Sequence, residues 1–393
     1  MSHVRRAVAC AGALAVALSS FALPASTAAN AVDPVSRTAA DSASSWLKTQ
    51  QQADGGFEVA AFPGFETLDA TIAIAEAAQT GSWNAGAAKS AVEAVHFLGL
   101  GATPFDAIDA YAQTIPSLGA LTAGTAAKNI VLGATPYGFD PSAFDPAGDG
   151  SPVDLVSLMG GCSATGGSTF NFTLYIVLAQ SQVCGAPSGS ALQAVRDAQQ
   201  SNGGWNFVGD PTGTDIDPDT TALAVEALVA GGANASDPSV KAALGFFAAS
   251  QQTSGAWQSF GTDDPNSTAS AIFGLTAAGY DVESSCWRDT ADPARAGTPY
   301  ASPTAWIRSQ QLMSPPADAG RIASPNDSFG VNTFATSQSV EALLQSWLPV
   351  ARGAAQSCGT PVNPVNPVNP VNPVNPVGPV APVALTVTPR FTG

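Results

Sequence analysis

One sequence segment occurs four times in recognisable form, and it constrains the fold more than any other feature. In its clearest copy, residues 199–228, a pair of glutamines precedes a Gly-Gly-Trp turn, an Asp- and Pro-rich loop, and a helix of small residues. Another copy begins near Gln51, and the later glutamines Gln200, Gln252 and Gln311 are 52 and 59 residues apart. A period of this length is typical of a repeated helix pair.

The helix pairs predict a fold with two concentric layers. In the C-terminal half, each pair has an amphipathic first helix and a second helix of small and apolar residues. Helices of the first type expose one face, whereas helices of the second type must be enclosed on nearly all sides. Weaker helical patterns at 82–160 bring the total to about six pairs. We therefore predict an all-α fold, an (α/α)6 toroid that occupies residues 32–358.

Residues 1–31 have the features of a secretory signal peptide. Arg5 and Arg6 precede an apolar run, and small residues follow at 29–31. Removing this segment leaves 14 − 2 = 12 basic and 30 acidic residues, so the net charge becomes −18. Such a charge repels phosphate backbones, and nucleic acid is not an expected partner. We predict a monomer that is secreted or associated with the cell surface or cell wall, with no membrane span after cleavage.

Residues 359–393 differ in composition from the rest of the chain. Proline occupies every third position through most of the repeated Pro-Val-Asn tract. A polyproline II helix has three residues per turn and needs no internal hydrogen bonds. The tract therefore predicts an extended stalk or spacer.

Four cysteines remain after removal of the signal peptide, namely Cys162, Cys184, Cys286 and Cys358. An even number of cysteines in an exported chain favours disulfides. Pairing between neighbours in the sequence would join Cys162 to Cys184 and Cys286 to Cys358. Buried free thiols are the alternative, and the sequence leaves the connectivity open.

The aromatic and glutamine positions of the repeats resemble the QW repeat of squalene and oxidosqualene cyclases and of protein prenyltransferase β subunits. The resemblance implies membership of their α/α-toroid superfamily over residues 40–358, most clearly from residue 189. A glutamine amide at the end of one outer helix can bond to backbone groups of the adjoining repeat. The matching residues are Trp46, Leu47, Gln51 and Phe57, then Gln200 and Trp205, then Phe247, Gln252 and Trp257, and finally Trp306, Ile307 and Gln311.

Residues 215–222, Asp-Ile-Asp-Pro-Asp-Thr-Thr-Ala, form an acidic cluster at the start of a small-residue helix. They resemble the Asp-x-Asp-Asp-Thr-Ala motif of squalene–hopene cyclases, in which the middle aspartic acid protonates a terminal alkene. The resemblance places Asp217 at the first position, Asp219 at the proton-donating position, and Thr220 where the third acid would be. A proton donor of this kind needs a carboxyl group that its neighbours keep neutral and oriented.

Other features favour a function without catalysis. Carbocation intermediates require a cavity lined by aromatic rings, whereas the predicted inner helices supply mainly Ala, Thr, Ser and Val. The cyclases that the sequence resembles also use two helical domains, and this chain has room for one. In the alternative interpretation, Asp219 caps an inner helix while Asp215 and Asp217 shape the preceding loop. The sequence leaves open whether any catalysis occurs.

The sequence predicts no metal or cofactor. Prenyltransferases bind zinc through Asp, Cys and His, but after removal of residues 1–31 the only histidine is His96, and nothing near it has zinc-ligand spacing. A calcium ion at Asp215, Asp217 and Asp219 is the alternative, although Thr220 occupies the position of the glycine that a calcium loop requires.

A closed ring would bring the N-termini of the inner helices to one mouth, where helix dipoles and carboxylates meet. We predict that this mouth binds an unidentified ligand, a small molecule or a component of the cell envelope. The alternative is an isomerase of the terpenoid cyclase type, with Asp219 as general acid beside Asp217 and Thr220. The predicted ligand-binding residues are Asp69, Thr71, Trp205, Asp215, Ser267, Thr268, Asp327 and Thr336.

Overall fold

The computed structural model describes residues 32–58, 64, 66–96, 99, 101–325 and 333–352. The predicted signal peptide, the Pro-rich tail, Asp327 and Cys358 lie outside these residues. Among the described residues, no helix is both long enough and apolar enough to span a membrane. The α-helices are α1 Pro34–Lys48, α2 Thr67–Ala77, α3 Ala85–Glu93, α4 Pro104–Ala112, α5 Thr122–Asn129, α6 Leu155–Met159, α7 Phe170–Val183, α8 Gly189–Asp197, α9 Pro218–Ala230, α10 Pro238–Ser250, α11 Pro265–Ala277, α12 Cys286–Ala291, α13 Pro303–Ser309 and α14 Phe334–Leu343.

Two short antiparallel hairpins accompany the helices. Strands β1 Trp257–Ser259 and β2 Thr262–Asp264 pair with Trp257 opposite Asp264, and this hairpin leads into α11. Strands β3 Ser346–Trp347 and β4 Ala351–Arg352 pair directly after α14. The two hairpins therefore lie at the two ends of the inner helices.

Six helical segments form a closed inner ring. Helix α2 packs on α14 and on the π-helical extension of α5 at Ile130–Ala134, and α5 packs on α7. Helix α7 then packs on α9, α9 on α11, and α11 on α14. The ring closes across residues 82–160, where the sequence pattern is weak. The predicted all-α toroid is confirmed.

Small residues let the inner helices approach closely. Every residue of α2 is buried, and in α11 every residue except Asn266 is buried. At Gly274 an added Cβ would lie 3.1 Å from the Cα of Ala222, so α9 and α11 touch backbone to backbone there. The outer helices cover this ring. Helix α1 contacts α2 and α14, α8 contacts α7 and α9, and α10 contacts α9 and α12.

Glutamine side chains join neighbouring helix pairs, as the sequence predicts. Each Nε2 group donates to a carbonyl in its own turn and to one in the next repeat. Since Ala39 belongs to α1, the last of these contacts ties the final repeat to the first. The bonds run from Gln51 to Gly55 (3.1 Å) and Val95 (3.2 Å), from Gln199 to Gly203 (2.8 Å) and Ser239 (2.9 Å), and from Gln311 to Gly320 (2.9 Å) and Ala39 (2.9 Å).

The glutamine assignment needs a correction in two repeats. In the Gln199-Gln200 and Gln251-Gln252 pairs, the first glutamine reaches the glycine carbonyl of the turn. The predicted Gln200 and Gln252 do not make that bond. Because successive helical residues are rotated by about 100°, only one glutamine of each pair can face the turn.

A buried threonine fixes each turn to its inner helix. In four inner helices the threonine Oγ1 accepts a hydrogen bond from the backbone N–H of the turn residue. These threonines mark equivalent positions in the four repeats. The bonds join Phe57 to Thr67 (3.0 Å), Trp205 to Thr221 (3.0 Å), Trp257 to Thr268 (3.0 Å) and Ile322 to Thr336 (3.1 Å).

One of the predicted disulfides is present. Cys162 and Cys184 are bonded, which ties the turn after α6 to the end of α7. Cys286 is disulfide-bonded as well. Its predicted partner, Cys358, lies outside the described residues.

Candidate functional site

A cavity of about 1420 Å³ lies within the inner ring. Its wall carries aromatic side chains, so the expectation of a cavity without aromatic lining is wrong. The inner helices, the loops before them and the hairpin after α14 each contribute lining residues. The aromatic lining residues are Phe172, Tyr175, Phe273, Phe334 and Trp347, together with Phe207 and Phe260, which are largely exposed to solvent. The acidic lining residues are Glu66, Asp69, Asp215, Asp217, Asp219, Asp264, Glu226 and Glu341.

The N-terminal turns of the inner helices meet at one end of the cavity, which we call the mouth. Thr333 Oγ1, at the start of α14, donates to Glu66 Oε2 at the start of α2 (2.7 Å). Ser267 Oγ in α11 donates to Asp219 Oδ2 in α9 (2.9 Å). These bonds hold the first turns side by side, and the helix dipoles are therefore directed to the same region.

Asp219 presents its carboxyl group to the cavity. Its side chain is exposed to the cavity space, but the protein ring surrounds that space and limits hydration. Desolvation, and then the negative charge of Asp217, raise the pKa of Asp219 to about 6, against the hydrogen bonds from Ser270 and Ser267, which lower it. A neutral, oriented carboxylic acid is therefore available at mildly acidic pH.

Asp217, and not Asp219, caps α9. Asp217 Oδ1 accepts the backbone N–H of Thr220 (2.9 Å), and its Oδ2 accepts the Thr220 hydroxyl (2.8 Å). The expectation that Asp219 is the cap is wrong, because Pro218 fills the first helical position and the preceding residue becomes the cap. With the capping position occupied, Asp219 is free to face the cavity.

Asp69 is not the N-cap of its helix. It lies in the first turn of α2, after Glu66 at the N-cap position. Its carboxylate pairs instead with Lys128 Nζ of α5, at 3.4 Å. The pair links two neighbouring inner helices at the cavity wall.

Two glutamates lie deeper in the cavity. Glu226 and Glu341 each lie five residues after the threonine that bonds to the turn of its repeat, which is Thr221 in α9 and Thr336 in α14. The two glutamates therefore lie at equivalent depth. Seven residues separate Asp219 from Glu226, which corresponds to about 10 Å along the helix. Between them on α11, Phe273 occupies the equivalent position. We call this pair the deep glutamates.

The deep glutamates are buried and sparsely hydrogen-bonded. Glu226 is 2% exposed and accepts one bond, from the backbone N–H of Leu348 (2.8 Å). Glu341 is 6% exposed, and no side-chain hydrogen bond joins it to another described residue. Burial raises the pKa of Glu226 to about 8 and raises the pKa of Glu341 well above its usual value. At neutral pH Glu226 therefore favours the uncharged form and offers an O–H donor to the cavity, and burial shifts Glu341 in the same direction.

We expect the stability of the fold to depend on pH through Glu226. Its pKa is about 8 in the folded protein against an ordinary value of 4.5, so the folded state binds the proton more tightly. The free energy of unfolding should then be greatest below pH 4.5 and fall by about 1.4 kcal/mol per pH unit up to pH 8 for this group. Urea denaturation across this range measures the slope. Glu226→Gln should reduce it, whereas Glu93→Gln, on the outer helix α3, should leave it unchanged.

The predicted ligand-binding residues divide into two groups. Asp69, Asp215 and Ser267 line the cavity, and Asp215 Oδ2 accepts a hydrogen bond from Asn206 Nδ2 (3.0 Å) that shapes the loop before α9. Asp327 lies outside the described residues.

Thr71, Trp205, Thr268 and Thr336 do not line the cavity, and their predicted place at the mouth is corrected. Thr71 Oγ1 donates to the Leu68 carbonyl (2.8 Å), and the Trp205 indole N–H donates to the Val195 carbonyl in α8 (2.6 Å). Thr268 and Thr336 bind the turns before their own helices. All four side chains are buried in the packing between layers.

The acidic loop does not gather its carboxylates around a single point. Asp215 contacts Asn206, Asp217 contacts Thr220, and Asp219 contacts Ser267. Within the described part of the chain, these three acids do not form a cluster of converging ligand oxygens. The loop geometry therefore gives no support to calcium binding at this position.

Four cavity residues, Glu226, Glu341, Tyr175 and Lys128, are not among the site residues predicted from the sequence. A signal for the deep glutamates exists in the sequence. Each is an isolated acid inside an apolar inner helix, at the same distance from the repeat threonine. That equivalence becomes visible only when the threonines are aligned correctly.

No protein-family model and no curated protein matches the sequence. Solved structures do match. The type II terpene cyclase MstE from Scytonema, without ligand, is 16% identical, and the match covers 78% of this chain and 96% of that one with a TM-score of 0.50. The chain shares the all-α toroid fold of this cyclase. A variant of the same cyclase with its substrate geranylgeranyl dihydroxybenzoate is also 16% identical, covering 79% and 97% of the two chains with a TM-score of 0.47. At this identity the similarity concerns the terpene cyclase fold alone.

Proposed function

We propose that the protein binds an isoprenoid in its central cavity and that Asp219 protonates it, starting a cyclisation. The observation that carries this proposal is the position of Asp219. Its carboxyl group faces a cavity with aromatic walls, its pKa is raised to about 6, and Ser267 fixes its orientation. The secreted or cell-surface location predicted from residues 1–31 remains part of the proposal.

The proposed reaction conserves atoms and charge. The Asp219 O–H bond breaks as the π electrons of an alkene form a C–H bond, which leaves a carboxylate and a tertiary carbocation. A second alkene of the same molecule attacks that cation and forms the ring C–C bond. Loss of a proton from a neighbouring carbon to water or to the Asp219 carboxylate ends the reaction, and the product is an isomer of the substrate.

The cavity supplies the environment that such cations need. The faces of Phe172, Phe273 and Phe334 are negative and attract a positive centre. A ligand that fills the cavity also displaces water, which would otherwise capture the cation. The match to this chain covers 96% of the length of a terpene cyclase. A second helical domain is therefore not needed for a cyclase.

The deep glutamates indicate the chemistry at the far end of the substrate. Because burial raises the pKa values of Glu226 and Glu341, their protonated carboxyl groups can both donate to and accept from a hydroxyl group. Tyr175 lines the same region, and burial raises the pKa of its hydroxyl well above the usual value. A carboxylate or phosphate would lose its hydration among these groups, a cost that a hydrogen-bonded hydroxyl group avoids. We therefore favour an isoprenoid alcohol.

We expect Glu341→Leu to remove the preference for an alcohol. Wild-type protein should bind geranylgeraniol more tightly than the hydrocarbon of the same chain length, because the hydroxyl finds hydrogen-bond partners at the deep glutamates. The variant should bind the alcohol about 10-fold more weakly, as expected for one lost hydrogen bond, and the hydrocarbon at least as well. Calorimetric titration measures both affinities. Glu93→Leu is the matched control, and an unchanged preference in Glu341→Leu would remove the alcohol from the proposal.

The direct test of catalysis is incubation of the purified protein with linear isoprenoid alcohols, followed by mass spectrometry of the products. The proposal predicts a cyclic product with the mass of the substrate. The rate constant should decrease as the pH rises above about 6, because only the protonated form of Asp219 donates. Recovery of unchanged substrate below pH 6 from protein that binds it would contradict the catalytic step.

A ligand-binding protein without catalysis is the second candidate. It is favoured by Thr220, which stands where the resemblance expects a third acid and whose hydroxyl is used to hold Asp217. In that case the same cavity would store or carry an apolar small molecule. The two candidates differ in the product, since only the first changes the bound molecule.

A further inference from the structure

Three aspartates outside the cavity converge on one point of the surface. Asp109 lies on the outer helix α4, and Asp145 and Asp149 lie in the loop before α6. One carboxylate oxygen from each lies within 4.8 Å of the others. Three negative charges at such distances repel one another, and a bound cation would reverse the sign of the interaction. None of the three residues lines the cavity.

Asp109 provides a second and independent observation. The residue is 4% exposed, and its Oδ1 atom is buried without a hydrogen-bond partner among the described residues. Buried carboxylate oxygens in folded proteins almost always have a partner. This oxygen belongs to the one residue of the cluster that the fold encloses, and a bound cation would give it a partner.

The surrounding structure holds the two loop aspartates in place against α4. The backbones of Phe144 and Val153 pair through two hydrogen bonds of 2.9 Å, and Phe144 is fully buried. The side chain of Gln113, directly after α4, donates to the Ser151 carbonyl. The loop that carries Asp145 and Asp149 is therefore closed at its base and attached to the helix that carries Asp109.

We propose that Asp109, Asp145 and Asp149 bind one calcium ion. Calcium takes six to eight oxygen ligands at about 2.3–2.6 Å, so oxygens on opposite sides of the ion lie up to about 5 Å apart. The separations in the cluster fit that range. Zinc and copper favour nitrogen or sulfur ligands, which this cluster does not offer. Water and loop carbonyls complete the coordination. The site is separate from the acidic loop before α9 and does not depend on the proposed catalysis.

Calorimetric titration of the full chain with calcium, after treatment with a chelator, tests the proposal. Wild-type protein should bind one ion per chain at this site, and calcium should raise its melting temperature. Asp109→Asn and Asp149→Asn should each weaken calcium binding at least 10-fold and remove the calcium-dependent rise. Asp140→Asn, an exposed aspartate in the same segment, should behave like the wild type.

The melting temperature without calcium separates ion binding from a purely structural role. If Asp109 serves the ion, Asp109→Asn should melt at or above the wild-type temperature in chelator, because one repelling charge is gone. Since Asp149 is exposed, Asp149→Asn should fold in any case. The proposal is overturned if wild-type protein binds no calcium at millimolar concentrations. It is equally overturned if both variants retain wild-type affinity, or if Asp215→Asn is the variant that loses it.

Discussion

Replacing Asp219 by Asn is expected to abolish cyclisation while leaving ligand binding intact. The amide has nearly the same shape and can still contact Ser267, but it cannot donate a proton to an alkene. The loss should be at least about 10²–10⁴-fold in kcat, the usual contribution of a general acid, with little change in the dissociation constant of the substrate. Product formation under single-turnover conditions measures the first quantity, and calorimetric titration measures the second.

Asp210→Asn is the matched control for this experiment. Asp210 lies in the same loop, its carboxylate is bonded to Thr212, and it does not line the cavity. The control should retain activity and its dependence on pH. If Asp219→Asn retained wild-type turnover, the proton donor would have to be another group. Equal loss of turnover in both variants would indicate damage to the loop and not loss of an acid.

Replacing Trp257 by Ala is expected to have the largest effect on stability. The indole is fully buried at the junction between two repeats, with ring centroids 6.2 Å from Phe247 and 5.8 Å from Trp287. Its N–H donates to the Phe247 carbonyl at the end of α10 (3.1 Å). Removal of a large buried aromatic side chain leaves a cavity and costs about 3–5 kcal/mol in the free energy of unfolding. Urea denaturation monitored by circular dichroism measures this change.

Phe260→Ala, on the same hairpin, provides the comparison. Phe260 is 98% exposed at the tip between β1 and β2, and surface substitutions of this kind usually change stability by less than about 0.5 kcal/mol. The contrast between the two variants isolates burial at the junction from the presence of an aromatic ring. Similar losses of stability in both variants would mean that the β1–β2 hairpin, and not the packing of the indole, stabilises the inner ring of helices.

The sequence predicts the fold well because each repeat requires the same types of side chain at the same positions. A turn that begins with Gln51 or Gln199 needs a glutamine to satisfy carbonyls of the next repeat, and that requirement leaves a visible spacing. Small residues such as Gly274 are needed wherever inner helices touch. Residues 82–160 belong to the same ring, but the aligned glutamine and aromatic signals are weak there.

The candidate site is harder to predict, because its residues come from different repeats. The position of Asp219 in the cavity depends on which acid caps α9, and a two-residue shift of the cap exchanges the roles of Asp217 and Asp219. Three of the aromatic lining residues, Phe207, Phe260 and Trp347, come from loops and hairpins outside the inner helices. The other four lie on inner helices. The deep glutamates are far apart in sequence and become neighbours of one cavity only when the ring closes.

Deuterium incorporation gives the most direct measurement of the central claim, that Asp219 donates a proton to an isoprenoid held inside the ring. The protein is incubated in D₂O below pH 6 with an isoprenoid alcohol that titration shows to bind, and the products are analysed by mass spectrometry. Wild-type protein should give a cyclic isomer that carries deuterium at the protonated carbon, and Asp219→Asn should give none. Recovery of the bound alcohol unchanged and unlabelled would mean that Asp219 donates no proton and that the protein only binds its ligand.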